Sequence, residues 1–500
     1  MDGGLAEEVL CHKCGGKHAG PCSIQKIMAA LSLSLSQGFE GATRWSISDT
    51  TAGLLKLYKR HNKEDASDTI DGVPLDPKRN PNHRVELEEM LDWLRWSIAA
   101  YEKDRPTLLA SMQLRDQDVK QMVTKSLINK PAYLIAVYHA KKYVVMGIRG
   151  TYNTTDILTD LNPHNEPFLE GAAHSGMLGA AKWLLDKEGP LLKRLLLENP
   201  GYMLALTGHS LGGAVAALMT MLIRDTARSW IFPIPTQFMT TSLGIKPSGI
   251  KCWGFGTAPC VDRRFMTAED MTFIRNVVLQ DDVVPRVNPA AIEALREEIQ
   301  DTTFRQSMKP DGKTKKVVET IDRIKVSNLM QSAQEVGSTV YQKLQEARLE
   351  HGCPLLSCSS ANKINSRKMM IEDKSISNSN MDDPETDAGI AAKAIMSIAR
   401  GPSVSKQELE KRRLFVPGVL YHIRRQKIKR EERMTALPAP ARPYDPETEA
   451  PRGSKYKHYV ICGTDPSSRF GRIILSSTLL SDHGCFNIRD GILDALQWKK

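Results

Sequence analysis

Nowhere in the 500 residues does an uninterrupted apolar run approach the roughly 18 to 20 positions that a membrane-crossing helix requires, so no transmembrane helix is expected. The best N-terminal apolar stretch, SIQKIMAALSLSLSQG from Ser23, is broken by serines and follows the acidic opening MDGGLAEEVLCHKC, which makes a poor secretory signal. Nine cysteines, an odd number scattered over a long chain, form no disulfide-scaffold pattern and point to a reducing compartment. A cytoplasmic protein, membrane-associated at most peripherally, is the expectation. Also missing are the Walker lysine motif, the dinucleotide G-x-G-x-x-G context and H-E-x-x-H, so nucleotide, dinucleotide and zinc-peptidase chemistry are not the leading account.

One motif with metal-ligand types does occur. Cys11, Cys14, His18 and Cys22 are spaced C-x2-C-x3-H-x3-C, a compact arrangement that fits no established structural zinc pattern, and unliganded intracellular cysteines are the simpler reading. No metal and no cofactor are expected. The net charge of +10 is concentrated in local runs, most clearly KRRLFVPGVLYHIRRQKIKREER at 411–433. That run lacks a nucleic-acid motif and the aromatic interleaving of a single-strand binder, so nucleic acid is not an expected partner. A solvated basic face is its plain reading, and contact with an anionic membrane surface its functional one.

Along the chain, residues 1–115 read as a mainly helical region, with helices at 23–37, 48–60 and 85–102; Trp93 and Trp96 share a helix face and read as packing. From Asp118, DVKQMVTKSLI reads as a helix, followed by two neighbouring strands, AYLIAVYHA and KKYVVMGIRG. Helices are expected at 176–188 and 191–198, a strand at 202–207, a helix at 211–228, and strands near 249–256, 271–279, 418–425, 457–463 and 471–477. Strands alternating with helices indicate an α/β layer architecture, with one core part at 116–292 and a return to it at 414–500. Between them, 293–413 reads as an insertion, partly helical and, where Ser, Asn and Asp crowd, partly disordered.

The run LALTGHSLGGAVAALM, from Leu204 to Met219, changes from an apolar strand to a small-residue helix through a polar, glycine-rich turn. Gly208-His209-Ser210-Leu211-Gly212 fits the nucleophile-elbow pattern G-x-S-x-G, and its flanks supply the strand and helix that pattern needs. A sharp reversal crowds the backbone on either side of the serine. Small residues at 208 and 212 relieve that crowding while Ser210 projects outward, and the Leu211 N–H at the helix start is placed to hold a developing oxyanion.

In these residues the chain resembles the class 3 lipases of the α/β-hydrolase superfamily, most of all plant lipases related to intracellular mono- and diacylglycerol lipases. Besides the elbow, the resemblance is carried by VVMGIRGTYNTTDILTDL (144–161), AHSGMLGAAKWL (173–184), GFGTAPCVD (254–262), VVLQDDVVPRVNP (277–289) and LLSDHGCFNI (479–488). It implies an α/β-hydrolase fold with a mostly parallel central sheet and a helical N-terminal extension. It implies further that Ser210 is the nucleophile, Asp282 the acid and His483 the base, with Thr151 as the second oxyanion donor facing Leu211. The segment after Thr151 corresponds to a lid, with Ile157, Leu158, Leu161 and Phe168 as its apolar residues; an ordinary surface loop with inward anchors has the same composition. Asp281 is the fallback acid, and His458, His422 and His174 are weaker bases. His209 is expected to support rather than react.

Chemistry independently asks for these types: an imidazole takes the serine proton, and a carboxylate fixes the imidazole tautomer. The expected activity is therefore serine carboxylester hydrolysis of acylglycerols, mono- or diacylglycerol foremost. Phospholipase A1 or small-ester activity remain compatible, as does an inactive hydrolase fold used for lipid or protein binding.

Overall fold

The computed structural model describes residues 53–54, 56–61, 72–127, 129–150, 165–228, 243, 247–266, 271–301, 406–427, 456–463 and 470–497. Its centre is a nine-stranded sheet. The strands are β1 (Val73–Pro74), β2 (Val119–Val123), β3 (Tyr133–Tyr138), β4 (Tyr143–Ile148), β7 (Met203–His209), β8 (Ile250–Phe255), β9 (Ile274–Leu279), β10 (Val419–Lys427) and β11 (Tyr456–Cys462), in the order β1-β11-β10-β9-β8-β7-β4-β3-β2. A separate hairpin joins β5 (Asn165–Phe168) to β6 (Gly171–His174). The helices are α1 (Pro81–Ala99), α2 (Arg105–Met112), α3 (Ser175–Glu198), α4 (Leu211–Arg228), α5 (Pro289–Asp301), α6 (Lys406–Lys411) and α7 (Cys485–Leu496). Among the described residues no helix is long and apolar enough to cross a membrane.

Alternating side chains decide which layer covers which face. Tyr133, Ile135 and Val137 of β3, with Val144, Met146 and Ile148 of β4, join the core that α3 and α4 close. Leu134, Ala136 and Val145 point the other way, into a second core with Trp93 and Trp96 of α1 and Ile488 and Ile492 of α7. The two tryptophans are indeed packing residues: Trp93 meets the Tyr143 ring edge-on at 5.1 Å, and Trp96 lies 5.3 Å from Tyr138.

The sheet is mixed, which corrects the mostly parallel arrangement expected. Only β4, β7, β8, β9 and β10 run parallel to one another; β2, β3, β11 and β1 add antiparallel pairs at the two edges. Parallel pairs need crossover helices, which α3 and α4 supply, whereas β3 turns straight back into β4 through a four-residue reversal in which Lys142 takes a left-handed conformation, φ 57°.

Three local expectations also change. VKQMV forms the edge strand β2 rather than helix; Val119, Met122 and Val123 have helical spacing, but pairing with β3 through a bulge wins. The two helices expected at 176–198 are one, which carries Pro190 in its interior. Residues 471–477 form no strand: the Leu475 N–H donates to the His61 Nδ1 at 3.1 Å instead of to a ladder. The 23–37 helix and most of the 293–413 insertion lie outside the described residues, which retain α5 and α6 at the insertion's two ends.

Candidate active site

Strand β7 passes into α4 through Ser210 alone, and a reversal that short needs a left-handed residue: Ser210 has φ 61°. For a non-glycine residue this conformation costs on the order of 1–3 kcal/mol, so the surroundings must hold it. They do. The Ser210 N–H donates to the Phe255 carbonyl at the end of β8, 2.8 Å, and the Ser210 carbonyl accepts from the Gly213 and Ala214 N–H groups, 3.1 and 3.3 Å, starting α4. The elbow presses on the end of β4. A Cβ at position 212 would stand 2.8 Å from the Arg149 carbonyl carbon and 2.9 Å from the Gly150 nitrogen, and one at 208 would strike the Gly212 backbone. Ser210 is buried, and its Oγ has no hydrogen-bond partner among the described residues.

Asp282 follows β9 by three residues, and His483 ends the short helical turn Ser481–His483 just before α7. Tertiary folding brings them together across 201 positions: His483 Nδ1 lies 3.0 and 3.1 Å from Asp282 Oδ1 and Oδ2. A carboxylate only accepts, so Nδ1 carries the proton and the lone pair belongs to Nε2. That Nε2 is buried without a hydrogen-bond partner among the described residues, as is Ser210 Oγ. Gly256 keeps this junction open: at φ 55° it takes a left-handed turn, and a Cβ there would lie 2.8 Å from Asp282 Oδ2 and 2.9 Å from His483 Nδ1. The residue before it, Phe255, is the one that holds the Ser210 N–H, so nucleophile and imidazole flank the same turn.

Of the two neighbouring aspartates, the side chain of Asp282 faces the imidazole, whereas Asp281 is tied in through its backbone N–H, which donates to Asp482 Oδ2 at 3.1 Å. The Asp282 carboxylate also accepts from the Val284 N–H, 3.0 Å. Arg286, buried beneath, donates to the carbonyls of Asp282 and Gln280 at 3.1 and 2.9 Å and so braces the turn on both sides. Asp482 binds the acid turn to the base turn: besides the Asp281 N–H it accepts from Thr478 Oγ1, 2.9 Å, and pairs with Arg425 of β10. Nothing in the motif spacing marks Arg425 or Asp482, because they pair across elements.

The other histidines are engaged elsewhere. His458 bonds Asp494 at 2.9 Å, His422 Nε2 lies 2.9 Å from the Gln280 carbonyl, and His174 caps the N-terminus of α3 through the Met177 N–H. His209 points away from Ser210's reacting side: its Nε2 is 2.7 Å from the His483 carbonyl and its Nδ1 3.2 Å from the Tyr101 hydroxyl. Burial above all, and the His483 imidazole next, depress its pKa from 6.5 to about 3. Between those values the unfolded chain binds a proton that the folded chain refuses, so this contribution to stability is complete above about pH 6.5 and is lost as pH falls toward 3. His209→Gln should consequently show a shallower decline of thermal midpoint than the wild-type chain over that window; parallel declines in melts at matched ionic strength would count against it. Cys485, beside His483, is no rival nucleophile: desolvation, with the Asp282 charge adding to it, pushes its thiol up to about 12.

Thr151 and the lid residues Ile157, Leu158 and Leu161 lie outside the described residues, as do Cys11, Cys14, His18 and Cys22. Phe168, the fourth lid residue, is a core anchor rather than a flap surface. It is buried against Phe265, ring centres 5.8 Å apart, in a hairpin pinned to the 260–262 segment by the His174 N–H to the Cys260 carbonyl and the Ala172 N–H to Asp262. Leu211 opens α4 beside Ser210. Among the described residues no group of three or more His, Cys, Asp or Glu could hold a metal ion. The basic run does not form one solvated face. Its centre is β10, packed between β9 and β11, and Arg412, Arg413 and Arg425 pair with Glu408, Glu410 and Asp482.

Residues 145–291 match the family model for lipase (class 3). Diacylglycerol lipase-beta of Mus musculus is 26% identical over 205 residues, 39% of this chain and 27% of that protein. Diacylglycerol lipase-alpha of Homo sapiens is 29% identical over 191 residues, 36% of this chain and 16% of that protein. Secreted mono- and diacylglycerol lipase A of Penicillium cyclopium is 29% identical over 154 residues, 28% of this chain and 50% of that protein. This chain therefore spans half or less of the length of each. A solved lipase from Rhizopus microsporus var. chinensis superposes with a TM-score of 0.34 at 22% identity, over 45% of this chain and 80% of its own. Residues 145–291, which carry the elbow and Asp282, thus match the class 3 lipases, and the chain is similar in part to animal diacylglycerol lipases and fungal mono- and diacylglycerol lipases.

Proposed function

We propose that the chain is a serine carboxylester hydrolase that cleaves acylglycerol esters, mono- and diacylglycerols foremost, through Ser210, His483 and Asp282 and an acyl-enzyme intermediate. One observation carries this reading: a strained serine at a strand-to-helix turn and an imidazole whose Nδ1 is held by a carboxylate, and whose Nε2 has no hydrogen-bond partner among the described residues, meet the consecutive residues Phe255 and Gly256.

In this mechanism His483 Nε2 takes the Ser210 proton as Oγ attacks the ester carbonyl. The Leu211 N–H and, by family resemblance, the Thr151 N–H receive the oxyanion, and Asp282 stabilises the imidazolium. His483 then returns the proton to the glycerol-side oxygen. Water repeats the sequence on the acyl-enzyme, releasing a fatty acid and restoring Ser210. Such hydrolysis requires no metal or cofactor. The substrate class follows the names of the animal and fungal relatives, the plant-type affinity follows the sequence resemblance, that of the helical N-terminal region included, and peripheral contact with an anionic membrane through 411–433 accompanies the reading.

A binding-module reading draws on one fact: no hydrogen bond joins Ser210 Oγ to His483 Nε2 in this structure. In unliganded enzymes that bond is often long and tightens only with substrate, so hydrolysis is the better account. Assays on diacylglycerol, monoacylglycerol, triacylglycerol, phosphatidylcholine and short-chain nitrophenyl esters, side by side, test the proposal. The highest kcat/KM is expected on diacylglycerol or monoacylglycerol. Preference for phosphatidylcholine would reassign the chain to phospholipase A1 chemistry, and inactivity on every ester would leave the binding role.

A further inference from the structure

We propose that Tyr101 and His209 form a positioning relay that locks the oxyanion side of the site, at Gly150, to the loop that carries the base, at the His483 carbonyl. The inference rests on the hydrolase reading above and adds two residues to it, one of them outside the 145–291 family segment.

Hydrogen-bond valence fixes the relay's direction. The His483 carbonyl can only accept, so His209 Nε2 carries the proton across the 2.7 Å contact. Neutral His209 therefore has its lone pair on Nδ1, and the Tyr101 hydroxyl, 3.2 Å away, donates to it. The Tyr101 oxygen in turn accepts the Gly150 N–H at 3.1 Å. Four elements are joined in one line: the end of β4, the chain just past α1, the end of β7 and the turn before α7. The His209 ring also lies against the His483 ring, centres 4.4 Å apart and planes inclined by 37°. His483 is thus held at two points. Asp282 sets its Nδ1, and His209 sets its main chain, and rotation about either hold alone would carry Nε2 away from Ser210. Gly150, at the far end, directly precedes Thr151, so the same relay relates the oxyanion side to the base. It touches neither substrate nor reacting atoms, which makes Tyr101 and His209 positioning residues.

Tyr101→Phe, His209→Gln and His209→Leu test the relay through kcat and KM on a short-chain nitrophenyl ester, the rate of fluorophosphonate labelling at Ser210, and thermal midpoints. Since misplacement by about 1 Å costs on the order of a hundredfold, His209→Leu should lower kcat and labelling rate by about that factor. Tyr101→Phe should lower both by about tenfold, with KM within about twofold. His209→Gln retains an N–H for the His483 carbonyl and should recover about tenfold over His209→Leu. A folded Tyr101→Phe chain with wild-type kcat and labelling rate overturns the relay while leaving the hydrolase reading intact, even if its midpoint falls. Equal loss in His209→Gln and His209→Leu overturns it as well. A wild-type chain inert to both ester and fluorophosphonate overturns both readings together.

Discussion

Ser210→Ala is expected to lower kcat on any hydrolysed ester by roughly ten-thousand-fold or more, the scale on which removal of an activated serine acts elsewhere. It should also abolish fluorophosphonate labelling while leaving the fold unharmed. The reason for the second half is local. Ser210 Oγ is buried without a hydrogen-bond partner, so its removal takes away an unsatisfied polar atom and breaks no bond, and alanine inherits the same φ of 61°. A thermal midpoint equal to or above that of the wild-type chain should therefore accompany the loss. Retained hydrolysis, or labelling of a different serine, would end the assignment of Ser210; a large fall in midpoint would mean that the serine's role at the turn is structural.

Asp282→Asn carries the next largest effect, a kcat loss of about a hundred- to ten-thousand-fold, by changing a tautomer rather than a shape. The Val284 N–H donates to Asp282 Oδ1, so an asparagine would keep its oxygen there and set its NH2 where Oδ2 now stands, 3.1 Å from His483 Nδ1. A donor would then stand against the Nδ1 proton, the retained oxygen, 3.0 Å from Nδ1, would be its one remaining acceptor there, and the carboxylate charge would be gone. The imidazole relieves this by moving its proton to Nε2, which removes the lone pair that must receive the Ser210 proton. Asp281→Asn is the matched control. Asp281 meets the site through its backbone N–H, which the substitution leaves in place, and kcat should stay within about threefold, as expected for a change outside the charge pair. Comparable losses in both variants, measured by kcat on one ester at one pH, would show that the two carboxylates act as a pair and would undo the separate roles argued for them.

Legibility in the sequence follows the range of the interactions involved. The elbow was readable because its constraint is local: a strand, one left-handed residue and a helix must be written in consecutive letters, and crowding of the backbone leaves only glycine at 208 and 212. Strands β3, β4, β7 and β8 were readable for a similar reason, since strands buried on both faces become apolar runs. The edge strand β2 was not. With one partner and a half-exposed pattern, VKQMV suits helix as well as strand, and only pairing with β3 decides it. Residues 471–477 failed in the opposite sense: they are apolar because Ile473 and Leu475 are buried, yet among the described residues they join no ladder.

By itself, then, the sequence determined the chemistry of the elbow and the presence of parallel α/β units, and resemblance to the class 3 lipases added the choice of Asp282 and His483. Tertiary structure alone decided that the sheet is antiparallel at both edges and that Phe168 is a core anchor. It alone brought Tyr101, Asp482 and Arg425 to the site. The physical reason is the same in each case. A backbone reversal is enforced within a few bonds, whereas a hydrogen bond between residues 49, 108 or 201 positions apart exists only after the sheet has set its strand order and laid those loops side by side.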